Sequence, residues 1–225
     1  MTFKSLIFQI DQPAMKNRNM ILLFLITINI FLNACTKSPD KTLRISAIPD
    51  QDPEHLNRLY GLLAKKLSKD IGVKVKYIPV INYTAAVNSF RTGNSHLVWF
   101  GGLTGVQARL QTPGSKVIAQ RDVDENFHSV FIANTNTDIP KINGISELRI
   151  LKDRRFTFGS ESSTSGRLMP QYYLKKANVS LKDFKGNRPG FSGSHDATIM
   201  LVSSGAYEAG ALNEQVWLSS IKRGK

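Results

Sequence analysis

The stretch FTFGSESSTSG, residues 156–166, decides the fold of this chain, because an apolar run ends there in small hydroxyl residues just before a helical pattern at 167–177. A strand that enters a helix in this way leaves the N–H groups of the first helical turn without partners, beside the positive end of the helix dipole. Such a helix start is an anion-binding site. Ser and Thr are also the preferred helix caps, so an ordinary N-cap at Ser163, Thr164 or Ser165 is the alternative interpretation.

Two further strand ends have a similar pattern. The segment FSGSHDA, residues 191–197, repeats the order of an apolar residue, a small polar loop and a helical run. The segment VWFGGLT, residues 98–104, ends a strand at paired glycines, which allow backbone or ligand to approach closely. Ligands of open α/β sheets bind outside the carboxyl ends of the strands. We therefore expect the three loops to share one ligand.

Strand and helix patterns alternate from Leu43 onward, which predicts an α/β fold with parallel sheets covered by helices on both faces. The predicted strands cover residues 43–48, 73–80, 97–100, 116–120, 129–133, 155–158 and 207–212. The predicted helices cover residues 54–70, 85–92, 103–110, 167–177, 197–203 and 214–221. The first of these helices carries its leucines along one face, which is typical of a helix packed on a sheet.

The amino terminus has the pattern of a bacterial lipoprotein signal. Basic residues precede an apolar run at 20–32 that is too short to span a bilayer comfortably but suits a signal-peptide core. Cys35, the only cysteine, follows where such a signal places the residue to be lipidated. We therefore expect a signal peptide over residues 1–34, read from Met1 or from Met15. A lipidated cysteine and a flexible tether would then occupy residues 35–42.

Three segments carry a resemblance to a known family. They are WFGGLTGVQARL at 99–110, FGSESSTSGRLMPQYYL at 158–174 and GFSGSHDATIMLVSSGAYEAGALN at 190–213. They closely resemble the phosphate, phosphite and phosphonate class of ABC-transporter substrate-binding proteins, in particular the branch named for selenate binding. The likeness extends from about Leu43 to the last residue.

The resemblance implies a type II periplasmic-binding-protein fold, with two doubly wound α/β lobes joined by a hinge. We place lobe 1 at residues 43–133 and lobe 2 at 134–225, with the passage between them in the Asn-, Thr-, Pro- and Gly-rich stretch 134–146. Members of the family continue beyond the equivalent of Lys225 and return to the first lobe. The resemblance therefore predicts a C-terminal truncation.

The resemblance also implies a set of ligand-binding residues. The turn Ser163-Thr164-Ser165 would donate hydroxyl and backbone N–H groups to an anion, and His195 would donate from the neighbouring loop. The remaining implied residues are Tyr83, Phe127 and Asn213, with Glu214 beside them. Phe127 stands where phosphonate binders have a tyrosine, which favours a smaller or differently protonated oxyanion.

Each of three implied residues also has a plain structural interpretation. The alternative for Tyr83 is an aromatic residue that flanks a helix, for Asn213 a helix cap and for His195 a cap histidine. If His195 does contact the anion, its pKa should rise on binding. Affinity should then be greatest below the pKa of the free protein and fall as the pH rises through the pKa of the complex.

The sequence predicts an extracytoplasmic lipoprotein that captures phosphonate, phosphite, phosphate or selenate for an ABC permease and ATPase, without a cofactor. The alternatives are an anion-sensing or scavenging lipoprotein without a transporter, or a non-functional fragment. The net charge of +13 suggests nucleic-acid binding, but the basic residues are scattered and follow an export signal. An enzyme is disfavoured, because the chain has no G-x-S-x-G elbow and no histidines at metal-ligand spacing.

Overall fold

Short strands alternate with helices, as expected, in the computed structural model, which describes residues 41–224. The predicted signal peptide, Cys35 and most of the tether lie outside the described residues. The strands are β1 Leu43–Ala47, β2 Val75–Tyr77, β3 Leu97–Trp99, β4 Ser129–Ala133, β5 Phe156–Phe158, β6 Gly190–Phe191 and β7 Ala209–Asn213. The helices are α1 Pro53–Ile71, α2 Tyr83–Arg91, α3 Gly102–Gln111, α4 Met169–Lys176, α5 His195–Ser203 and α6 Glu214–Lys222.

The first sheet is parallel, as predicted, with the strand order β2-β1-β3. Leu43 in β1 is opposite Val75 in β2, and Ile45 is opposite Leu97 in β3. Parallel strands need long crossover connections, which α1 and α2 supply here. The carboxyl ends of β1 and β3 therefore lie side by side at one edge of the sheet.

The second sheet has the order β4-β7-β5-β6 and is not wholly parallel. β5 runs parallel to β6 and β7, but β4 pairs antiparallel with β7 along its whole length, from Ser129 opposite Asn213 to Ala133 opposite Ala209. The expectation of parallel pairing throughout is wrong for this strand. The chain also reaches the second sheet at Ser129, before the predicted passage at 134–146. The division into two lobes at residue 133 stays a prediction, since the described residues from Lys41 onward cluster as one compact unit.

The predicted strand at 116–120 does not form. Val117 and Ile118 are 68% and 74% exposed, and in the described part of the chain the first sheet ends at β3. A short apolar run becomes a strand only where a neighbouring edge offers hydrogen-bond partners. Here no described strand pairs with it, so the segment is irregular.

Helix α1 matches its predicted bounds closely, but its leucine face is only partly covered. Leu56 is buried, whereas Leu59, Leu62 and Leu63 remain between 40% and 60% exposed. Asp52 caps the helix by accepting a hydrogen bond from the His55 N–H group at 2.8 Å. Among residues 41–224, no helix combines the length and the apolar character that a bilayer span requires.

The largest core lies against the second sheet and holds the strand that leads to the site. Phe156, Phe158 and Phe184 are almost fully buried and pack on one another with ring centroids 4.8 to 6.2 Å apart. A π-helical turn, Thr164–Leu168, follows the loop after β5 and continues directly into α4. The aromatic core therefore anchors the loop that follows β5 and leads into Ser163, Thr164 and Ser165.

Candidate functional site

One cavity of about 200 Å³ contains all seven predicted ligand-binding residues on its walls. These residues are Tyr83, Phe127, Ser163, Thr164, Ser165, His195 and Asn213. The cavity lies where β1 and β3 end and where α2, α5, α6 and the π-helical turn begin. Residues far apart in the sequence thus converge at the strand ends, where α/β sheets bind ligands.

The turn after β5 supplies hydroxyl donors and a helix cap together. Ser163 is the N-cap, and its Oγ accepts a hydrogen bond from the Gly166 N–H group at 3.0 Å. Thr164 Oγ1 accepts from the Leu103 N–H group at 2.9 Å, which joins this turn to the start of α3. A hydroxyl that accepts one hydrogen bond still has its own proton to donate. Both sequence interpretations of this turn are therefore compatible with the geometry.

Gly166 makes the close approach of three segments at the cavity possible. A Cβ atom at this position would lie 3.0 Å from Ser163 Oγ, 3.2 Å from Gly159 Cα and 3.3 Å from His195 Cε1. Only a residue without a side chain fits there without moving backbone. The Ser-Thr-Ser-Gly order thus serves the packing of the turn as well as its hydroxyl chemistry.

Tyr83 has an unsatisfied hydroxyl in the cavity wall. The side chain is 2% exposed at the start of α2, after the N-cap Asn82, and its hydroxyl faces Ser163 without a well-formed hydrogen bond to any described residue. Burial, and after it the nearby charge of Asp50, raise the pKa of this phenol, so it remains a protonated donor. A buried polar atom without a partner is costly and indicates a partner that the protein itself does not supply.

His195 is buried in a neutral state. It is 4% exposed at the first position of α5, its N–H group donates to the Asp50 carbonyl at 2.9 Å, and its Nδ1 accepts from the Asn213 N–H group at 3.4 Å. Because Nδ1 accepts, the ring proton is assigned to Nε2. Burial lowers the pKa of His195 to about 4. The predicted pH dependence of binding therefore begins from a free-protein pKa well below the ordinary value.

The other predicted residues divide between the cavity and its surroundings. Asn213 is the N-cap of α6, since its Oδ1 accepts from the Val216 N–H group at 3.0 Å, so its interpretation as a helix cap is confirmed while it also lines the cavity. Phe127 lines the cavity and is 37% exposed. Glu214 lies outside the lining and contacts His128, with Oε2 at 2.9 Å from Nδ1.

Asp50 and Arg121 also line the cavity, and sequence reasoning missed both. The same strand-end rule that selected the other loops applies to Asp50, which lies three residues after β1. Arg121 follows the segment wrongly predicted as a strand, so no pattern marked it. Its guanidinium lies 5.5 Å from the Trp99 ring centroid and pairs with Asp124 at 2.7 Å. Among the described lining residues, it alone carries a permanent positive charge.

The burial of His195 should make the stability of the protein depend on pH. The unfolded chain gains a proton at His195 near pH 6.5, whereas the folded chain gains it near pH 4. Stability is therefore lost as the pH falls through this window, by up to about 3 kcal/mol. Asp50, whose pKa burial raises to about 6, acts in the opposite direction, because its ionisation in the folded state costs stability as the pH rises.

A comparison of wild type with His195→Gln separates the two contributions, because glutamine cannot gain a proton. Denaturant unfolding at pH 4.5 and pH 7.5 should show wild type losing stability relative to the variant at the lower pH. A stability difference that is equal at both pH values would contradict burial of a neutral imidazole.

Comparison with known proteins identifies the family. Residues 45–225 match the family described as "ABC transporter, phosphonate, periplasmic substrate-binding protein". A probable ABC transporter phosphite binding protein, PhnD1 of Prochlorococcus marinus (strain MIT 9301), is 58% identical over 194 residues, which cover 86% of this chain and 65% of that protein. The phosphonates-binding periplasmic protein of Escherichia coli (strain K12) is 29% identical over 156 residues, which cover 68% of this chain and 45% of that protein.

A solved structure agrees with these matches. The structure of Prochlorococcus PhnD1 in complex with methylphosphonate superposes with a TM-score of 0.81 at 60% identity, covering 82% of this chain and 68% of that one. The fold is thus that of the type II periplasmic binding proteins, and the expected fold class is confirmed. This chain spans about two thirds or less of its relatives' lengths. It belongs to the family of periplasmic phosphonate substrate-binding proteins of ABC transporters, which are transport proteins and not enzymes.

Proposed function

We propose that this chain binds a small tetrahedral oxyanion outside the cytoplasm and delivers it to the permease and ATPase of an ABC importer. The observation that carries the proposal is the donor set of the cavity. The Tyr83 hydroxyl, which is buried without a partner, faces the same space as the hydroxyls of Ser163, Thr164 and Ser165. Arg121 adds a positive charge to the same wall.

The donor set is large enough for useful affinity. Hydrogen bonds to a charged group contribute about 1.5 to 3 kcal/mol each. Micromolar binding requires about 8 kcal/mol net. Four such bonds sum to about 6 to 12 kcal/mol, so micromolar binding needs at least four of them near the top of that range, from donors of both sheets. Tyr83 lies in the part of the chain around the first sheet. Ser163, Thr164 and Ser165, which we call the serine turn, follow a strand of the second sheet, so both sheets contribute donors.

The relatives indicate the chemical class of the ligand. PhnD1 is described as a phosphite-binding protein and was crystallised with methylphosphonate, and the Escherichia coli protein is described as phosphonates-binding. Phosphonate and phosphite are therefore candidates for this chain, beside the phosphate and selenate that the sequence resemblance implies. Phe127 offers no hydroxyl where the resemblance places a tyrosine, which favours a small anion such as phosphite.

A calorimetric titration of the full-length chain with phosphite, phosphate, methylphosphonate, sulfate and selenate tests the proposal. We expect micromolar or tighter binding of at least one phosphorus oxyanion. If none of the five anions binds, transport fails as the function and a chain without binding activity is the better description. Binding without any associated permease and ATPase would favour a sensing or scavenging lipoprotein.

We infer that Cys35 anchors the mature protein to a membrane. Support comes from its place as the only cysteine after a basic and then apolar leader, and from the periplasmic family. Cys35→Ser should release the protein from washed membranes, since stable attachment of such a protein needs its acyl chains. Wild-type protein in the soluble fraction would overturn this inference.

A further inference from the structure

Asp50 is an acidic side chain in a cavity otherwise equipped with hydrogen-bond donors. It lines the same wall as Tyr83 and His195. Two like charges at contact distance repel each other strongly in a partly desolvated site. An ionised Asp50 would therefore oppose any bound anion unless a proton lay between the two oxygens.

The backbone of Asp50 is held from both sides. Its N–H group donates to the Ile48 carbonyl at 3.0 Å, and its own carbonyl accepts from the His195 N–H group at 2.9 Å. Its carboxylate forms no ion pair within 4 Å among residues 41–224, because Arg121 is engaged by Asp124. The backbone of Asp50 is thus fixed at the cavity, and Gln51 contributes a hydrogen bond to its carboxylate but no charge.

The groups around Asp50 set its protonation. Burial raises its pKa to about 6, Arg121 opposes this shift and Asp196 adds to it. The titratable and charged groups that face it, from every neighbouring element, are Tyr60, Tyr77, Tyr83, Arg121, Asp124, His195 and Asp196. Burial lowers the pKa of His195 to about 4, so this ring stays neutral between pH 6 and 8. The pKa values of the three tyrosines are raised, so these phenols stay protonated over the same range. Among the groups that face the carboxyl of Asp50, none of these four changes its charge where Asp50 does.

We propose that Asp50 selects oxyanions that carry a proton, by sharing one proton with a ligand oxygen in the complex. The proton comes either from the ligand, with Asp50 accepting, or from Asp50, with the ligand accepting. A phosphorus oxyanion brings its own proton, since its second ionisation lies near neutral pH. Sulfate and selenate have no proton to bring at neutral pH and meet the bare carboxylate. This inference rests on the proposed function and restricts it to phosphorus oxyanions.

The test compares phosphite and sulfate as probes on the full-length chain by calorimetry between pH 6 and 8. In wild type, sulfate binds only the protonated form of Asp50, so its affinity should fall about tenfold for each pH unit above 6. In Asp50→Asn, the amide donates at every pH. Sulfate affinity should then be independent of pH and, at pH 8, about a hundredfold higher than in wild type. Phosphite binding to wild type should weaken only above the second ionisation of phosphite, near neutral pH, so the preference for phosphite is compared at pH 6.5 to 7 and should shrink there in Asp50→Asn.

Asp122→Asn is the matched control, because it removes an exposed carboxylate next to Arg121 in the chain but outside the cavity lining. Its sulfate and phosphite curves should follow wild type. Parallel sulfate curves in wild type and Asp50→Asn, with phosphite still bound, would overturn the role of Asp50 and leave the proposed function standing. Loss of both anions from wild type would overturn both. Should Asp50→Asn not fold, a flat sulfate curve in wild type would alone refute the proposal.

Discussion

Replacing both Ser163 and Ser165 with alanine is expected to weaken oxyanion binding by about a hundredfold to ten-thousandfold. Each hydroxyl is buried at the cavity, and each charge-assisted hydrogen bond lost costs about 1.5 to 3 kcal/mol. The backbone N–H groups at the start of the turn remain in the variant, so the loss should be smaller if they hold most of the charge. Calorimetry with phosphite or methylphosphonate measures the change.

Two further variants separate loss of binding from loss of folding. Ser163 also caps the turn, so its replacement should cost about 1 kcal/mol of stability in addition to affinity. Ser165 has no capping role, and Ser165→Ala alone should reduce affinity with little effect on thermal unfolding. Ser162→Ala, in the same loop but outside the cavity lining, is the control and should bind normally. Unchanged affinity in the double variant would remove this turn from the site.

Phe158→Ala should destabilise the fold by about 3 to 5 kcal/mol, since the ring is fully buried and its removal leaves a cavity. The ring packs edge-on against Phe156 and Phe184 with centroids 5.0 and 6.2 Å away. Loss of this size is a large fraction of the stability of an ordinary domain. Denaturant unfolding measures this loss of stability. The serine turn should also lose the packing of Phe158 that anchors it.

The neighbouring Phe191 offers a control of the same residue type. Its ring stacks on Phe158 at 5.8 Å but is 40% exposed, so Phe191→Ala should cost clearly less. If the alanine variant of Phe158 does not fold, Phe158→Leu should still fold with a smaller loss. Equal costs at the two positions would contradict the placement of Phe158 in the centre of this core.

The agreement between sequence and structure is best where a local pattern has a direct physical cause. The bounds of helix α1 were predicted to within one residue. Its N-cap Asp52 and its first residue Pro53 stand at the start, and Gly72 with a left-handed backbone ends it, so the signals lie next to the bounds in the sequence. The small hydroxyl residues of the serine turn likewise predicted the helix start that follows them. The prediction of a strand at 116–120 was wrong, because a strand needs a neighbouring strand as hydrogen-bond partner, and the local sequence does not show whether one is present.

The cavity shows the same division between local and distant causes. The strand-end patterns and the family resemblance were enough to name Tyr83, the serine turn and His195, because each lies at a helix start with recognisable neighbours. Asp50 and Arg121 were not predicted, since their importance comes from burial and from charges supplied by other segments. Pairwise electrostatics depends on distance and local dielectric, and neither is a property of adjacent residues.

Helix starts, six of the seven predicted strands and the family could be recognised from the sequence, because caps, apolar periodicity and short motifs act over a few residues. Folding alone decided the antiparallel pairing of β4 with β7, the exposed leucine face of α1 and the protonation of the cavity. Hydrogen-bond partners across a sheet and the desolvation of His195 and Asp50 both arise from residues far apart in sequence. Those long-range contacts exist only after the chain has packed.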